Sequence, residues 1–135
     1  MKSIFWQLMF LILGFSARAQ QPFFRELVID RQDDDIKTNT VFQSPGGLIY
    51  LGTSKGLFRY DGFDFRNLSV ENNRSDLQIT AIAGPYKEGF CTGSEKGELL
   101  VWIADKPERI PAPFHSPVKS LFFDDNNVLW VMAVS

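Results

Sequence analysis

The 135-residue sequence predicts an all-β fold built from repeated units. Three observations support this prediction: short runs rich in aromatic and β-branched residues, turn residues between the runs, and a motif that recurs about every 40 residues. Aromatic and β-branched side chains favour strands because they pack well on a pleated, half-buried surface. After residue 19, no stretch shows the sustained apolar spacing of an amphipathic helix.

The first 19 residues are predicted to be an export signal and not part of the fold. Lys2 supplies a positive charge, residues 4–15 are almost wholly apolar, and the small-x-small sequence 17–19 precedes Gln20. A retained membrane anchor is the weaker alternative, because a spanning helix needs about 20 apolar residues. We therefore expect a signal peptide at 1–19, a folded domain at 20–135, and a periplasmic or extracellular location.

Composition argues against several kinds of site. The net charge is −2 and the basic residues are scattered, so we expect no nucleic-acid partner. The single Cys91 is expected to be a small buried strand residue, and His115 has no second histidine with which to form a zinc or catalytic site. The acidic run 33–35 lacks the ligand spacing of a calcium loop and is expected to be a solvated turn. No cofactor and no metal site is predicted.

An internal repeat appears when residues 40–58 are aligned with residues 81–99. Four residues recur 41 positions later: Gly52, Thr53, Lys55 and Gly56 fall on Gly93, Ser94, Lys96 and Gly97. A third copy, residues 120–135, follows the first by 80 positions and has Trp130 in place of Tyr50. A repeat of about 40 residues with four short strands is typical of a β-propeller blade.

The sequence therefore predicts a partial β-propeller of about two and a half blades, each a four-stranded antiparallel sheet. The units are predicted at residues 38–78, 79–117 and 118–135. Apolar runs predict strands at 48–53, 56–60, 89–94, 98–104, 118–123 and 127–132, with an outer strand in 63–68.

The repeated glycines are expected to serve this architecture. Gly52 and Gly56 are predicted to let neighbouring backbones approach closely and to allow a tight turn at 53–56. Residues 60–62, Tyr-Asp-Gly, are predicted to form the next turn before the outer strand. We therefore assign the motif a structural role, with no catalytic residue and no identified ligand-binding residue.

The segment 47–62 resembles the two-component regulator propeller repeat, Asp-x-x-Gly-x-Leu-Trp-x-Gly-Thr-x-x-Gly-Leu-x-Arg-Tyr-Asp-Gly. The matching residues are Gly47, Ile49, Tyr50 in the Trp position, Gly52, Thr53, Gly56, Leu57, Arg59, Tyr60, Asp61 and Gly62. The second copy keeps Gly93 and Gly97. The third copy matches at Asp124, Leu129 and Trp130 but has Met132 and Ala133 in place of Gly-Thr.

This resemblance implies the periplasmic sensor region of a receptor. Members of the family generally carry one or two propellers, then an immunoglobulin-like domain, a membrane helix and a cytoplasmic output, commonly a histidine kinase. Their ligands are often oligosaccharides. A seven-bladed ring needs roughly 280 residues, so we expect this chain to be the N-terminal piece of a larger receptor. That receptor is expected in the inner membrane and as a homodimer, and the chain itself is not expected to be an enzyme.

Two alternatives remain open at this stage. A secreted glycoside hydrolase or lyase would need carboxylates that converge on one point, and Asp30, Asp64 and Glu98 do not recur in a pattern that shows such a pair. A non-catalytic protein-binding propeller is the other alternative. Three aromatic residues are candidates for stacking on a sugar, although strand aromatics more often pack in cores: Phe63, Phe65 and Trp102.

The export signal makes a direct prediction. Protein recovered from the extracytoplasmic fraction should begin at Gln20, because the small residues at 17 and 19 suit signal peptidase. N-terminal sequencing or intact mass measures this. The variant Ala19→Arg should block cleavage, and exported wild-type protein that still carries Met1 would contradict the prediction.

Overall fold

The computed structural model describes residues 2–4, 23–29 and 35–134. Within this part the strands form three antiparallel sheets of four, four and two strands. Most of the predicted signal peptide and Asp30, Asp33 and Asp34 lie outside the described residues. The prediction of an all-β fold with four-stranded antiparallel sheets is confirmed.

Each sheet is a simple meander, in which consecutive strands are neighbours. The first sheet contains β1 (Thr38–Gln43), β2 (Ile49–Thr53), β3 (Gly56–Tyr60) and β4 (Phe65–Asn67), and a short helix α1 (Leu68–Glu71) follows it. The second sheet contains β5 (Ile79–Tyr86), β6 (Gly89–Ser94), β7 (Leu99–Ile103) and β8 (Lys106–Ile110). The third contains β9 (Val118–Phe123) and β10 (Leu129–Ala133).

The three sheets pack face to face in chain order, which is the propeller-like arrangement. The first strands of successive sheets lie side by side, β1 beside β5 and β5 beside β9. Side chains alternate between the two faces of a strand, so the second sheet contributes to two cores. Phe90, Leu100 and Trp102 pack against the first sheet, whereas Cys91 and Val101 pack against the third.

The strand register shows which residues of the three sheets are equivalent. Phe42 pairs with Tyr50 in the first sheet, Ala83 with Cys91 in the second, and Phe122 with Trp130 in the third. In the first and second sheets these pairs lie on the face that points toward the next sheet, whereas Phe122 and Trp130 of the third sheet are exposed. The alignment of Tyr50 with Trp130 seen in the sequence is therefore present in three dimensions.

A side-chain hydrogen bond joins the first strand of one sheet, here called its inner strand, to the inner strand of the next. This bond is present between β1 and β5 and between β5 and β9. The pairing register of β1 with β2 shifts at Asn39, and its Nδ2 donates to the Ile79 carbonyl of the second sheet at 2.8 Å. The register of β5 with β6 shifts in the same way at Thr80, and its Oγ1 donates to the Val118 carbonyl at 2.5 Å. The irregular residue of each inner strand thus holds the next sheet in place.

Gly52 and Gly93 make room for the next sheet, although not in the way the sequence suggested. A Cβ on Gly52 would lie 2.6 Å from Ile79 Cγ2, and one on Gly93 would lie 2.7 Å from Val118 Cβ. The groups that approach are therefore β-branched side chains and not a neighbouring backbone. They are Ile79 and Val118 of the adjacent sheets and, at Gly52, also Thr40 of the same sheet, whose Cγ2 would lie 2.5 Å from the added Cβ. Gly56 does adopt positive φ, +112°, as the tight turn at 53–56 requires.

The threonine of the Gly-Thr pair closes this tight turn. The Thr53 hydroxyl, which is fully buried, donates to the Gly56 carbonyl at 2.8 Å and accepts from the Lys55 amide at 3.1 Å. Ser94 at the equivalent position accepts from the Glu98 amide at 3.0 Å. The repeated hydroxyl therefore satisfies turn groups that the strands leave unpaired.

The strands β1, β5 and β8 were not among the runs predicted from apolar composition. The sequence of β8, Lys-Pro-Glu-Arg-Ile, is mostly polar, and it is a strand because its pairing with β7 and its outer position need little buried surface. The outer strand β4 is shorter than the predicted range 63–68, because Phe63 and Asp64 belong to the preceding turn and Leu68 begins α1.

The glycine contact predicts a specific stability loss. Gly93→Ala should destabilise the protein by about 1–3 kcal/mol, because the added methyl group overlaps the Val118 side chain. Val118→Ala in the same chain should recover part of that loss, giving a coupling energy of about 0.5–3 kcal/mol. Urea unfolding measures both values.

Gly46→Ala is the matched control. A Cβ at Gly46 meets nothing closer than Ser44 Oγ at 3.9 Å, so the change should stay within about 0.5 kcal/mol. Equal losses for Gly46→Ala and Gly93→Ala would show that the inter-sheet contact is not what requires glycine.

Candidate functional site

A cleft of about 440 Å³ opens between the first and second sheets. It lies at one end of the sheets, where the β1–β2, β5–β6 and β7–β8 turns all connect their strands. It is lined by Ser44, Pro45, Gly46, Leu48, Tyr50, Arg59, Pro85, Lys87, Glu88, Gly89, Phe90, Trp102, Ala104 and Asp105. Its volume falls in the range of small-molecule sites, about 300–1,000 Å³.

An ion pair that joins the two sheets lines the cleft. The Arg59 guanidinium on β3 binds the Asp105 carboxylate in the β7–β8 turn. The side chains are 15% and 27% exposed, so water screens this pair less than a surface pair. Arg59 Nε is buried without a hydrogen-bond partner. The pair therefore holds one sheet against the other while leaving one donor of the arginine unsatisfied.

Tyr50 adds a third group to this pair. Its hydroxyl donates to Asp105 Oδ1 at 3.4 Å. Burial, together with the nearby Asp105 carboxylate, raises the pKa of the Tyr50 phenol. The phenol therefore stays protonated and remains a donor, so Asp105 receives both a cation and a neutral donor.

The backbone around Asp105 is also held in place. Asn72, which follows α1, donates from Nδ2 to the Asp105 carbonyl at 2.9 Å and to the Leu68 carbonyl at 2.8 Å. Ala104 and Asp105 both have positive φ, 49° and 62°, as a two-residue hairpin turn of type I′ requires. This turn points Asp105 back toward the first sheet.

Positive φ values recur around the cleft. Lys87, Ala104 and Asp105 all line it and are non-glycine residues with positive φ. Such residues carry a conformational cost that surrounding contacts must offset, and they concentrate at ligand and active sites. At the cleft these residues belong to the hairpin turns that form its walls, and Asn73 and Asn127 have the same backbone conformation elsewhere in the chain.

The charged groups that line the cleft are balanced in sign. Arg59 and Asp105 compensate each other's charge, and the exposed Lys87 and Glu88 at the rim carry opposite charges. The Asp105 carboxylate contacts both the Arg59 guanidinium and the Tyr50 hydroxyl of the first sheet. The arrangement therefore offers hydrogen-bonding groups of little net charge above a partly apolar wall.

The structure places the motif residues in distinct parts of the first and later sheets. Their positions are Gly47 in the β1–β2 turn; Tyr50, Gly52 and Thr53 on β2; Gly56, Leu57, Arg59 and Tyr60 on β3; Asp61 and Gly62 in the β3–β4 turn; Gly93 on β6; Gly97 in the β6–β7 turn; and Trp130 on β10. Of these, Tyr50 and Arg59 line the cleft. Asp105, Lys87 and Glu88 were not found from the sequence, which predicted only a strand at 98–104 in front of Asp105.

The β3–β4 turn is organised by Asp61. Its Oδ1 accepts from the amides of Asp64 and Phe63, each at 2.9 Å. These backbone donors, that of Asp64 first, lower the pKa of the Asp61 carboxyl. Tyr60 donates from its hydroxyl to the Gly62 carbonyl at 2.9 Å. This part of the motif is occupied by its own turn.

The aromatic residues considered for sugar stacking differ in access. Trp102 is 1% exposed and donates to the buried Thr92 hydroxyl at 2.9 Å, so its ring faces are not available. Phe65 stacks on Tyr60, with ring centroids 4.6 Å apart. Phe63 is exposed and, with Phe65 and residues 25–29, lines a second depression of about 430 Å³.

The remaining candidates do not gather at one place. Asp64 lies at the cleft end of the sheets, whereas Glu98, paired with Arg74, lies at the opposite end. His115 is exposed in the β8–β9 connection. Cys91 is buried, as expected, and burial raises the pKa of its thiol to about 11. This cysteine therefore stays a thiol at neutral pH.

Two features are absent from the described part of the chain. No group of three or more His, Cys, Asp or Glu residues there is placed to hold a metal ion. None of the helices in residues 2–4, 23–29 and 35–134 combines the length and apolar character needed to span a bilayer.

Comparison with known proteins gives a structural likeness. A crystal structure of the extracellular domain assigned to a one-component system of B. thetaiotaomicron superposes with a TM-score of 0.64 and 23% sequence identity. The match covers 76% of this chain and 14% of that chain. At this identity the likeness shows a shared fold. No family model and no curated protein matches the sequence.

The Arg59–Asp105 pair predicts a measurable stabilisation. Arg59→Met should destabilise the protein by about 1–3 kcal/mol, because it leaves a half-buried carboxylate without its cation. Denaturant unfolding measures the change.

Arg66→Met is the control, since Arg66 lies directly across from Arg59 on β4. Its pair with Glu71 is 49% and 40% exposed, and its loss should stay within about 0.5 kcal/mol. Equal effects of the two variants would rule out a special role for the inter-sheet pair.

Proposed function

We propose that this chain is the extracytoplasmic ligand-sensing segment of a signal-transduction receptor, and that the cleft between the first and second sheets binds the ligand. The observation that supports this proposal best is the position of the Arg59–Asp105 pair, which both lines the cleft and joins the two sheets. A ligand there meets the groups that set the contact between sheets.

The mechanism follows from differential binding. A ligand that accepts from Arg59 or donates to Asp105 competes with their mutual contact, and it favours whichever spacing of the two sheets it fits best. The two turns that form the walls, residues 44–48 and 87–88, belong to different sheets. Ligand binding across them therefore changes the free-energy balance between sheet arrangements, which is what a sensor must transmit.

The charge distribution favours a neutral polar ligand. Arg59 with Asp105, and Lys87 with Glu88, leave little net charge in the cleft. An isolated ionic ligand would gain little from this environment, whereas hydroxyl groups can both donate to and accept from these side chains. A glycan fragment has this chemistry, and we propose it as the ligand class.

The structural neighbour is consistent with this role. It is the extracellular domain assigned to a one-component system, and an exported sensor segment is the counterpart we propose here. The repeat resemblance implies a histidine kinase as output, whereas the neighbour's system is described as one-component. The output module and homodimer therefore remain predictions, and we propose no catalytic role for this chain itself.

A ligand screen tests the proposal. Neutral oligosaccharides, acidic oligosaccharides and charged small molecules are compared by thermal unfolding. A neutral sugar should raise stability by about 2.7 kcal/mol at 100 times its Kd. Stabilisation by charged molecules alone would contradict the proposed ligand class, and no stabilisation by any panel member would contradict the sensing role.

A blocking variant tests the site. Gly46 lines the cleft and has open space where a side chain would project. Gly46→Trp should fill the cleft and abolish binding without unfolding the protein, whereas Gly46→Ala should retain binding. Equal affinities of both variants, measured by calorimetry, would show that the ligand binds elsewhere.

A further inference from the structure

Three large apolar side chains lie exposed together on the third sheet. Phe122, Trp130 and Met132 are 61%, 61% and 64% exposed. Phe122 and Trp130 are direct cross-strand partners, and Met132 follows Trp130 on the same face of β10. We call this group the third-sheet face. Contiguous apolar patches of this kind mark interaction surfaces on soluble proteins.

The equivalent face is covered in both preceding sheets. In the first sheet Tyr50 and Phe42 pack on Phe90 of the second, with ring centroids 4.4 Å and 5.4 Å apart. In the second sheet Ala83 and Cys91 are buried against the third sheet. The same face of the repeat thus forms an inter-sheet interface twice within the described chain.

The tryptophan of the third-sheet face is held in a fixed orientation. Its Nε1 donates to Asp124 Oδ2 at 2.9 Å, and Asp124 Oδ1 accepts from the amides of Asn126 at 2.9 Å and Val128 at 3.0 Å. An aromatic side chain already ordered before binding loses less entropy in a complex. Trp130 therefore has the properties of an interface anchor.

We propose that the third-sheet face binds a further antiparallel sheet of the same repeat, whose first strand lies beside β9 as β5 lies beside β1. The occupant is inferred from continuity: each of the two sheet interfaces already present uses this face and this strand arrangement.

Met132, which stands where the earlier repeats have glycine, specifies the partner further. Gly52 and Gly93 leave room for Ile79 and Val118 of the next sheet, whereas Met132 at the equivalent position fills that space. The bound sheet should therefore carry a small residue, glycine or alanine, where the earlier sheets carry a β-branched one. This exchange of large and small residues conserves the total volume at the contact.

The register allows a direct test. Ser135 follows Lys55 by 80 positions, so a copy of residues 56–110 appended after Ser135 continues the repeat in phase. It completes the third sheet and adds a fourth. In one version the copy of Ile79 is replaced by glycine; in the other it is retained. The copied Trp102 is replaced by phenylalanine in both versions, and all three chains carry Trp6→Phe.

Acrylamide quenching then reports on Trp130, because Trp102 is buried. In the unextended chain Trp130 should be accessible to the quencher. In the glycine version it should become as protected as Trp102. The retained-isoleucine version should protect it less, and Met132→Gly in that version should restore protection.

Three outcomes would overturn the proposal. One is a Trp130 that stays accessible in both extended versions while circular dichroism shows the added segment folded as strand. Another is equal protection in the glycine and isoleucine versions, which would refute the role of Met132. The last is protection in the unextended chain that rises with concentration, which would assign the face to a second copy.

Discussion

The rest of this structure depends on the close contact between a glycine on the second strand of one sheet and a β-branched residue that begins the next. Gly52 receives Ile79, and Gly93 receives Val118. Because no Cβ separates the sheets at these points, their faces come close enough to form two buried apolar cores. The side-chain hydrogen bonds from Asn39 and Thr80 lie beside these contacts and fix the inner strands at the same spacing.

The candidate site is a consequence of that spacing. Arg59 can reach Asp105, 46 residues later in the chain, only because the first and second sheets are held face to face. The cleft opens at the turn end, where the same packing leaves the hairpin connections apart. A ligand site built across a sheet interface couples binding to the interface itself, which is the physical basis of the sensing role proposed for it.

The repeats share geometry more than they share residues. The positions of Tyr50, Cys91 and Trp130 are equivalent, yet they hold an aromatic donor to an ion pair, a buried thiol and an exposed anchor. What is constant is the register and the face. Each sheet therefore adapts the same backbone frame to a different neighbour, and the third sheet departs furthest where glycine is replaced by Met132.

The sequence by itself determined most of the strands and turns, because aromatic alternation and turn glycines act over a few residues. The predicted runs match β2, β3, β6, β7, β9 and β10, and the repeat alignment matches the observed register. Tertiary structure decided the rest. The polar strand β8 is a strand because β7 pairs with it, Trp102 is buried because two sheets meet over it, and Asp105 becomes the partner of Arg59 through folding alone. These contacts join residues far apart in the chain, and no local pattern encodes them.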